Sequence, residues 1–360
     1  MLIRPADLPG QLRFTQAVQN AFQHQRIPHS LLILGKEDGL LQAAAIWVAQ
    51  AILCGKTSEP PCGECSSCQK FQNLTHPDLH FVFPAAATAT TEDFRQNIRD
   101  LSEKPFEPVD VPETADILIS SVREVNKLVS RSAFEGDRQV FIFLGAERFR
   151  KEAANAFLKT LEEPPAGTYF ILCSTDTGSM LQTILSRCQK LNLDPIQPED
   201  IRKFLEKQGF SAEKSIAWSV MCQGQLGVAL RFAGTESIDY YQALHPYLNS
   251  LMKGDLPGIY EQYQIWEKSG KDEILAYLQA MTFFLQDCLR VKAGSPDKLT
   301  RQDLSGRFGS LYADYGRLDL SAGLKVLDDS MYKLQRNVHA GLTLLNLAIQ
   351  FRKLVRGLGK

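Results

Sequence analysis

Four cysteines in the segment 54–68 form the cluster of side chains best suited to metal chemistry. Cys54, Cys62, Cys65 and Cys68 follow the spacing C-x7-C-x2-C-x2-C. Four thiolates complete a tetrahedral Zn²⁺ shell and leave no open position, which is typical of structural rather than catalytic zinc. The alternatives are free or pairwise oxidised thiols, or a ligand set in which His76 replaces Cys54. The spacing favours the four-cysteine zinc site.

A second segment has the layout of a phosphate-binding loop without its functional groups. A working loop reads GxxxxGK[ST], in which the Lys reaches the phosphates and the hydroxyl binds Mg²⁺. Here Gly35 follows the apolar run SLLIL, but Leu40, Leu41 and Gln42 stand where the second Gly, the Lys and the hydroxyl belong. Lys36 is out of register and does not substitute. We therefore expect no ATP to bind this chain.

The carboxylates that hold Mg²⁺ and orient water are missing as well. They belong at the end of the next buried strand, where the run VFIFLG offers Leu144 and Gly145 instead. Glu147 lies two residues later and is expected to point away. Because the two losses are independent, they predict that this chain has no ATPase activity of its own.

The elements that must position these residues alternate between strands and helices in the first half of the chain. Buried strands are predicted at 30–35, 79–83, 140–145 and 169–175, and helices at 12–25, 41–53, 119–131 and 151–162. Such alternation predicts a parallel α/β sheet. The polar segment 85–116 is predicted to be an inserted loop with at most one short helix. From Pro195 onward the periodicity is helical.

Several of these segments, taken in order, resemble bacterial clamp-loader subunits of DNA polymerase III, which are AAA+ proteins. The similarity rests on the cysteine cluster and on five short segments. They are Gly10-Gln11, His29-Ser30, His76-Pro77-Asp78, Glu152–Pro165 (EAANAFLKTLEEPP) and Ser186-Arg187-Cys188. An eroded phosphate loop with a retained Ser-Arg-Cys is similar to the delta-prime type, whereas an intact loop marks the gamma/tau type. Gly227 stands where ATP-binding members often carry Arg.

The resemblance implies a role for Arg187, with Ser186 and Cys188 flanking it in the motif. In ring-shaped AAA+ assemblies, one subunit's arginine stabilises the charge that develops on ATP bound by its neighbour. Arg187 is the candidate for this trans-acting finger. The alternative is a surface arginine paired with a carboxylate. Cys188 is interpreted as a packing residue.

The resemblance also implies the fold and the domain organisation. We expect an α/β AAA+ core at 1–195 that contains the zinc module at 54–68 and the insertion at about 85–116. A small helical lid at 196–236 and an all-α collar for oligomerisation at 237–360 follow. The implied partners are gamma/tau and delta-type subunits in a hetero-oligomeric ring. The sliding clamp and primed DNA would be reached through that assembly, as part of the polymerase III holoenzyme.

Composition limits the other function classes. The net charge is −1, so no large positive field favours DNA binding by the chain alone. No signal peptide and no membrane span is predicted, and we expect a cytoplasmic protein. Two alternatives remain: an active gamma/tau-like AAA+ ATPase with an irregular phosphate loop, and a zinc-dependent nucleic-acid-binding protein. ATP affinity of the isolated chain would favour the first, and tight, salt-sensitive DNA binding the second.

Overall fold

The structure is a computed structural model, and it describes most of the 360-residue chain. The described residues are 2–56, 60–86, 88–109, 111–112, 114–222, 224–234, 240–268, 271–295, 299, 315, 318–335 and 338–355. They fall into two compact units. The first unit comprises described residues of Met1–Phe204 and Gly224–Leu230, and the second those of Leu205–Gln223 and Arg231–Lys360. The predicted division into core, lid and collar stays a prediction.

The first unit is built on a five-stranded parallel sheet. The strands are β1 (Ser30–Leu34), β2 (Leu79–Val82), β3 (Gln139–Phe143), β4 (Thr168–Ser174) and β5 (Gln189–Asn192). Their order in the sheet is β2-β3-β4-β1-β5, and every pairing is parallel. This sheet confirms the expected α/β AAA+ core. It also places the loops after β1, β3 and β4 along one edge, where ligands bind in open α/β sheets.

Fifteen helices accompany the sheet in the described part of the chain. In the first unit these are α1 (Leu12–Gln23), α2 (Asp38–Leu53), α3 (Ser66–Phe71), α4 (Thr91–Glu103), α5 (Ile119–Val129), α6 (Lys151–Glu162), α7 (Gln182–Leu185) and most of α8 (Pro198–Lys207), while α10 (Leu226–Gly234) begins there. The second unit contains α9 (Ala212–Met221), α11 (Tyr240–Lys253), α12 (Leu256–Lys268), α13 (Lys271–Lys292), α14 (Leu320–Gln335) and α15 (Ala340–Leu354). The predicted helical character beyond Pro195 agrees with this arrangement.

The core of the first unit explains why α2 is so apolar. β1 and β3 are buried along nearly their whole length, and α2 lies against the sheet with Trp47 fully buried. A helix that is apolar on all sides is a buried helix. The helix that follows the phosphate loop is therefore a fixed part of the core, and its N-terminus is held in place relative to the sheet edge.

The segment 85–116 is more structured than predicted. It contains α4, a helix of 13 residues, where the sequence analysis expected a loop with at most one short helix. A capping box begins this helix: the Thr90 hydroxyl accepts from the amide of Asp93, and the Asp93 carboxylate accepts from the amide of Thr90. The pattern is visible in the sequence but was outweighed there by the polar composition.

None of the helices in the described part of the chain is long and apolar enough to span a membrane.

Candidate functional site

The degenerate phosphate loop lies between β1 and α2, at the carboxyl edge of the sheet. Leu40 and Leu41 are both buried. Leu41 lines a small cavity of about 50 Å³ together with Leu144 and Gly145. A cavity of this size has room for about a water or two, whereas small-molecule sites occupy roughly 300–1,000 Å³. Four of the residues predicted to form the degenerate nucleotide site, Leu41, Gln42, Leu144 and Gly145, are thus brought together around a space too small for a nucleotide.

A carboxylate of the chain itself occupies the N-terminus of α2. Glu37 is the N-cap residue, and its Oε2 accepts a hydrogen bond of 2.6 Å from the amide of Leu40. Its Oε1 accepts a second bond of 3.1 Å from the amide of Gly227. Helix N-termini attract anions because their free amides and the helix dipole are positive. Glu37 supplies the negative charge that a phosphate would bring.

The residue at the Mg²⁺ position binds protein backbone instead. The side-chain amide of Gln42 is buried and donates to the carbonyl oxygens of Pro105, at 3.0 Å, and Glu107. Both acceptors belong to the 85–116 insertion. The insertion therefore lies directly against the degenerate loop, a contact that the sequence alone does not indicate.

Leu144 and Gly145 stand at the end of β3, at the positions where the carboxylates of a working site belong. Leu144 is buried, and Gly145 has a left-handed backbone with φ of 67°. The prediction that Glu147 points away is wrong, since its side chain lines the same small cavity. Its Oε1 accepts from the Thr175 hydroxyl at 3.3 Å, and its buried Oε2 has no hydrogen-bond partner among the described residues. The left-handed turn at Gly145 redirects the chain and brings Glu147 back over the sheet edge.

Arg187 lies at the end of the short helix α7, with about a third of its side chain exposed. Its guanidinium forms an ion pair with Glu162, at the end of α6, and donates to the carbonyl of Thr183 at 2.8 Å. The alternative named for this residue, a surface arginine paired with a carboxylate, describes this arrangement in the isolated chain. Exposed pairs of this kind are worth about 0–1 kcal/mol, so the guanidinium can exchange Glu162 for a stronger anion.

The residues that flank Arg187 have different surroundings. The Ser186 hydroxyl donates to the carbonyl of Thr183 at 3.1 Å and accepts from the Arg187 guanidinium at 3.4 Å. Cys188 is buried, and this burial raises the pKa of its thiol to about 12. A thiol that stays protonated at neutral pH is a poor nucleophile. Cys188 therefore has the properties of a packing residue.

The four clustered cysteines converge on one point. The sulfur atoms of Cys54, Cys62, Cys65 and Cys68 all lie within 4.8 Å of one another, and no disulfide joins them. Ligand sulfurs around a tetrahedral Zn²⁺ are about 3.8 Å apart, given Zn–S bonds of about 2.3 Å. The distance between Cys62 Sγ and Cys68 Sγ is 3.9 Å. The cluster is compatible with structural zinc.

Backbone amides orient the sulfurs of this cluster. The amides of Lys56 and Cys62 lie 3.4 Å from Cys54 Sγ, and the amide of Cys68 lies 3.5 Å from Cys65 Sγ. Hydrogen bonds from backbone amides lower the pKa of the Cys62 thiol to about 6, and the bond from the amide of Glu64 has the largest effect. Burial acts in the opposite direction on two other members and raises the pKa of the Cys54 and Cys68 thiols. The amide contacts fix the directions of the sulfur atoms.

His76, the alternative fourth ligand, lies outside this cluster. Its Nδ1 accepts from the amide of Asp78 at 3.1 Å, and its ring packs against Phe71. Burial lowers the pKa of this imidazole, which keeps it neutral. The carboxylate of Asp78 in turn accepts from the amides of Phe134 and Glu135, at 2.5 and 2.7 Å. The His76-Pro77-Asp78 turn therefore holds two loops together as a structural element.

Sequence reasoning missed two members of the site. These are Glu37 as an acceptor and the backbone of the insertion near Phe106. Glu37 lies four residues before the predicted start of the helix at 41, and an acidic residue in this region is a weak signal for the first, because N-cap positions favour acceptor side chains. No comparable pattern exists for the second, since it is a contact between backbone atoms distant in sequence.

A parallel sheet with a degenerate phosphate loop, a four-cysteine cluster and a Ser-Arg-Cys segment whose arginine is partly exposed are the features of the clamp-loader class of proteins. The family model described as DNA polymerase III, delta subunit, matches residues 10–197, more than half of the 360 residues, and the chain belongs to this family. Its nearest type within the family is delta-prime, as the following relatives indicate.

Two curated relatives are both DNA polymerase III subunits delta-prime. The chain is 35% identical to that of Haemophilus influenzae over 167 residues, which cover 46% of this chain but only 42% of the relative. It is 26% identical to that of Bacillus subtilis over 302 residues, which cover 82% of each protein. Among solved structures, a gamma subunit-related protein of DNA polymerase III from Thermotoga maritima aligns with a TM-score of 0.43 and 15% identity, covering 94% of this chain and 99% of that one.

Proposed function

We propose that this chain is a non-hydrolysing, delta-prime-like clamp-loader subunit that presents Arg187 to ATP bound by a neighbouring subunit. The observation that carries the proposal is a contrast between two sites. The chain's own phosphate loop lacks the Lys and the Mg²⁺ ligands and surrounds a cavity of about 50 Å³. The guanidinium of Arg187, in contrast, is partly exposed, and it is held by an ion pair with Glu162 and by hydrogen bonds to Thr183 and Ser186.

The proposed action of Arg187 is electrostatic. A guanidinium placed against the terminal phosphate neutralises charge that builds up in the transition state, which is worth roughly 10³-fold or more in rate. The ion pair with Glu162 keeps the side chain extended from the end of α7 until the neighbour's nucleotide replaces the carboxylate. In this proposal the chain transfers no phosphoryl group itself, and it contributes by placing the Arg187 guanidinium against the neighbour's nucleotide.

The second unit supports association with related subunits. A groove of about 960 Å³ lies between α12 and α15, with aromatic and aliphatic walls that include Tyr260, Trp266 and Ile349. Leu256, Tyr260 and Leu345 are each more than half exposed there. Apolar patches of this kind mark protein interfaces. We propose that gamma/tau and delta-type subunits pack here, and that the sliding clamp and primed DNA are reached through the resulting cytoplasmic ring.

We further propose that Cys54, Cys62, Cys65 and Cys68 hold one structural zinc ion. Their convergence within 4.8 Å supports this assignment. The ion would tie α3 to the end of α2 and take no part in ATP turnover. In the same interpretation Gly35, Leu40, Leu41 and Gln42, with Leu144 and Gly145, are remnants of a site that no longer binds ATP.

Two measurements test the proposed function. Calorimetric titration of ATP into the isolated chain should give no heat of binding, and stoichiometric binding with turnover would contradict the proposal. In a loader reconstituted with gamma/tau and delta-type subunits, Arg187→Ala should lower hydrolysis at the adjacent site by roughly 10³-fold while the ring still assembles. Loss of assembly instead of activity would show that Arg187 is structural.

A further inference from the structure

The insertion covers the N-terminus of α2 with its own backbone. The side chain of Gln42 donates to the carbonyl oxygens of Pro105 and Glu107, which lie on either side of Phe106. The loop residue that would face Mg²⁺ in a working site therefore recognises two carbonyl groups of this segment.

Two glycines from different helices border the carbonyl of Phe106. A Cβ atom on Gly39, in α2, would overlap the oxygen of Phe106. A Cβ on Gly227, in α10, would lie 2.9 Å from the same oxygen and 2.6 Å from Cδ of Pro108. Cβ atoms essentially never approach so closely, so the segment fits here only because both positions lack a side chain.

The carboxylate of Glu37 joins the same two helices. It accepts from the amide of Leu40 in α2 and from the amide of Gly227 in α10. One anion thus satisfies amides that would otherwise face solvent or a bound phosphate. The start of α10 is tied to the phosphate loop by this carboxylate on one side and by the segment around Phe106 on the other.

The segment is anchored at its far side as well. The ring of Phe106 is buried and packs edge-on against Phe204, with ring centroids 4.9 Å apart. Leu101, in the last turn of α4, is also buried. Val109 lines the small cavity beside Leu41. These contacts hold the backbone of the segment in place over the loop.

We propose that Glu37 and the segment Pro105–Val109 act as a built-in ligand that takes the place of a nucleotide and fastens α10 to the degenerate phosphate loop. Gly227 then has a function of its own. Because it carries no side chain at the position of a nucleotide-sensing residue, it leaves the space that Phe106 and Pro108 fill. This inference rests on the non-hydrolysing part of the proposed function, but it is independent of Arg187 and of ring assembly.

The substitution Gly39→Ala in the 360-residue chain tests whether the Phe106 carbonyl lies against Gly39. The direction of the change in Tm distinguishes the two expectations. Helix propensity alone predicts that alanine within α2 stabilises the protein and slows amide exchange. If the alanine Cβ displaces the Phe106 carbonyl, the substitution should instead destabilise the protein and speed amide exchange. We expect a lower Tm and faster hydrogen exchange, by about tenfold, at the amides of Leu40 and Gly227. A raised Tm with unchanged exchange would overturn the proposal.

The substitution Glu37→Ala tests the shared anion. Faster hydrogen exchange at the amide of Leu40 is expected when any N-cap residue is removed. The decisive amide is therefore that of Gly227, which should also exchange about tenfold faster. Glu124→Gln, on an exposed face of α5, is the matched control and should change neither amide. If Gly227 keeps its protection in Glu37→Ala, the fastening role is refuted.

Adding ATP to the unmodified chain separates the two proposals. With the built-in ligand in place, saturating ATP should leave the exchange of Leu40 and Gly227 unchanged. Protection by ATP accompanied by turnover would contradict the proposed function. Protection without turnover would overturn the built-in ligand and the proposed loss of ATP binding, because a nucleotide would then have entered the loop, but it would leave the non-hydrolysing role of the chain standing.

Discussion

At the scale of single residues, Arg187 and Glu162 form an ion pair whose weakness matters. Their side chains are 31% and 44% exposed, so water and salt screen the attraction between them. The proposed finger is therefore positioned by its helix and by the carbonyl of Thr183, while its charge stays available. The ion pair with Glu162 orients the Arg187 guanidinium in the unassembled chain.

The substitution Glu162→Gln tests this holding role. We expect a loss of at most about 1 kcal/mol in the free energy of unfolding, because the pair is exposed. Hydrolysis in the reconstituted loader should be unchanged or slightly faster, since Arg187 no longer has a competing carboxylate. Thermal melts and steady-state ATPase assays measure the two effects. A deep loss of ATPase activity would mean that Glu162 acts on the nucleotide directly.

At the scale of elements, the buried parts were predictable and the exposed or contact-dependent parts were not. β1, β3 and β4 each contain a continuous apolar run of at least four residues, and α6 matches its predicted bounds at Lys151–Glu162. The edge strand β5, with the sequence QKLN, is largely exposed and lacks the apolar pattern that reveals a strand. Its place is fixed by pairing with β1, which a local pattern cannot show.

The candidate site, like the elements, has a part that could be predicted from the sequence and a part that could not. The missing Lys and acids and the cysteine spacing are properties of sequence position, so they could be predicted. The roles of Glu37, Gln42 and Glu147 depend on backbone geometry: a cap, a contact with the insertion, and a left-handed turn at Gly145. The contact of Gln42 joins residues 63 positions apart, and the cap and the turn are local, but none of the three leaves a periodic signal.

The cysteine cluster gives a prediction at this scale. Removing the proposed zinc ion with a chelator should release about one equivalent of metal and lower the Tm, because an ion held by the four cysteines would stabilise the folded state. The variant Cys62→Ser should bind no zinc and start from that lowered Tm. Metal analysis and thermal melts with and without chelator measure both effects. A variant that still loses stability on chelation would place the metal elsewhere.

At the scale of the whole molecule, the proposed association with other subunits depends on the groove of the second unit. Its groove between α12 and α15 carries exposed apolar side chains bordered by Arg352 and Lys353. Aromatic residues in such grooves contribute most of the binding free energy of many interfaces. Tyr260, 60% exposed, is the residue from which we expect the largest effect.

Tyr260→Asp should weaken assembly with gamma/tau and delta-type subunits by at least about 30-fold in Kd, as expected for a loss of about 2 kcal/mol at an interface hot spot. Tyr332→Asp is the matched control, because Tyr332 is 55% exposed on α14 and does not line the groove. Analytical ultracentrifugation of the mixed subunits distinguishes the two. Equal behaviour of the two variants would remove the groove as an interface.

The carboxylate at the start of α2 has one more consequence, which concerns the energy state of the cell. A phosphate ligand comes and goes with the supply of triphosphate, but Glu37 is covalently part of the chain and its concentration at the helix never changes. Under the proposed function, the neighbouring subunits with working loops would change their nucleotide occupancy when the ratio of ATP to ADP falls, whereas this chain would keep the same carboxylate at its helix. The assembly would thus contain one member with a constant conformation through starvation and growth alike.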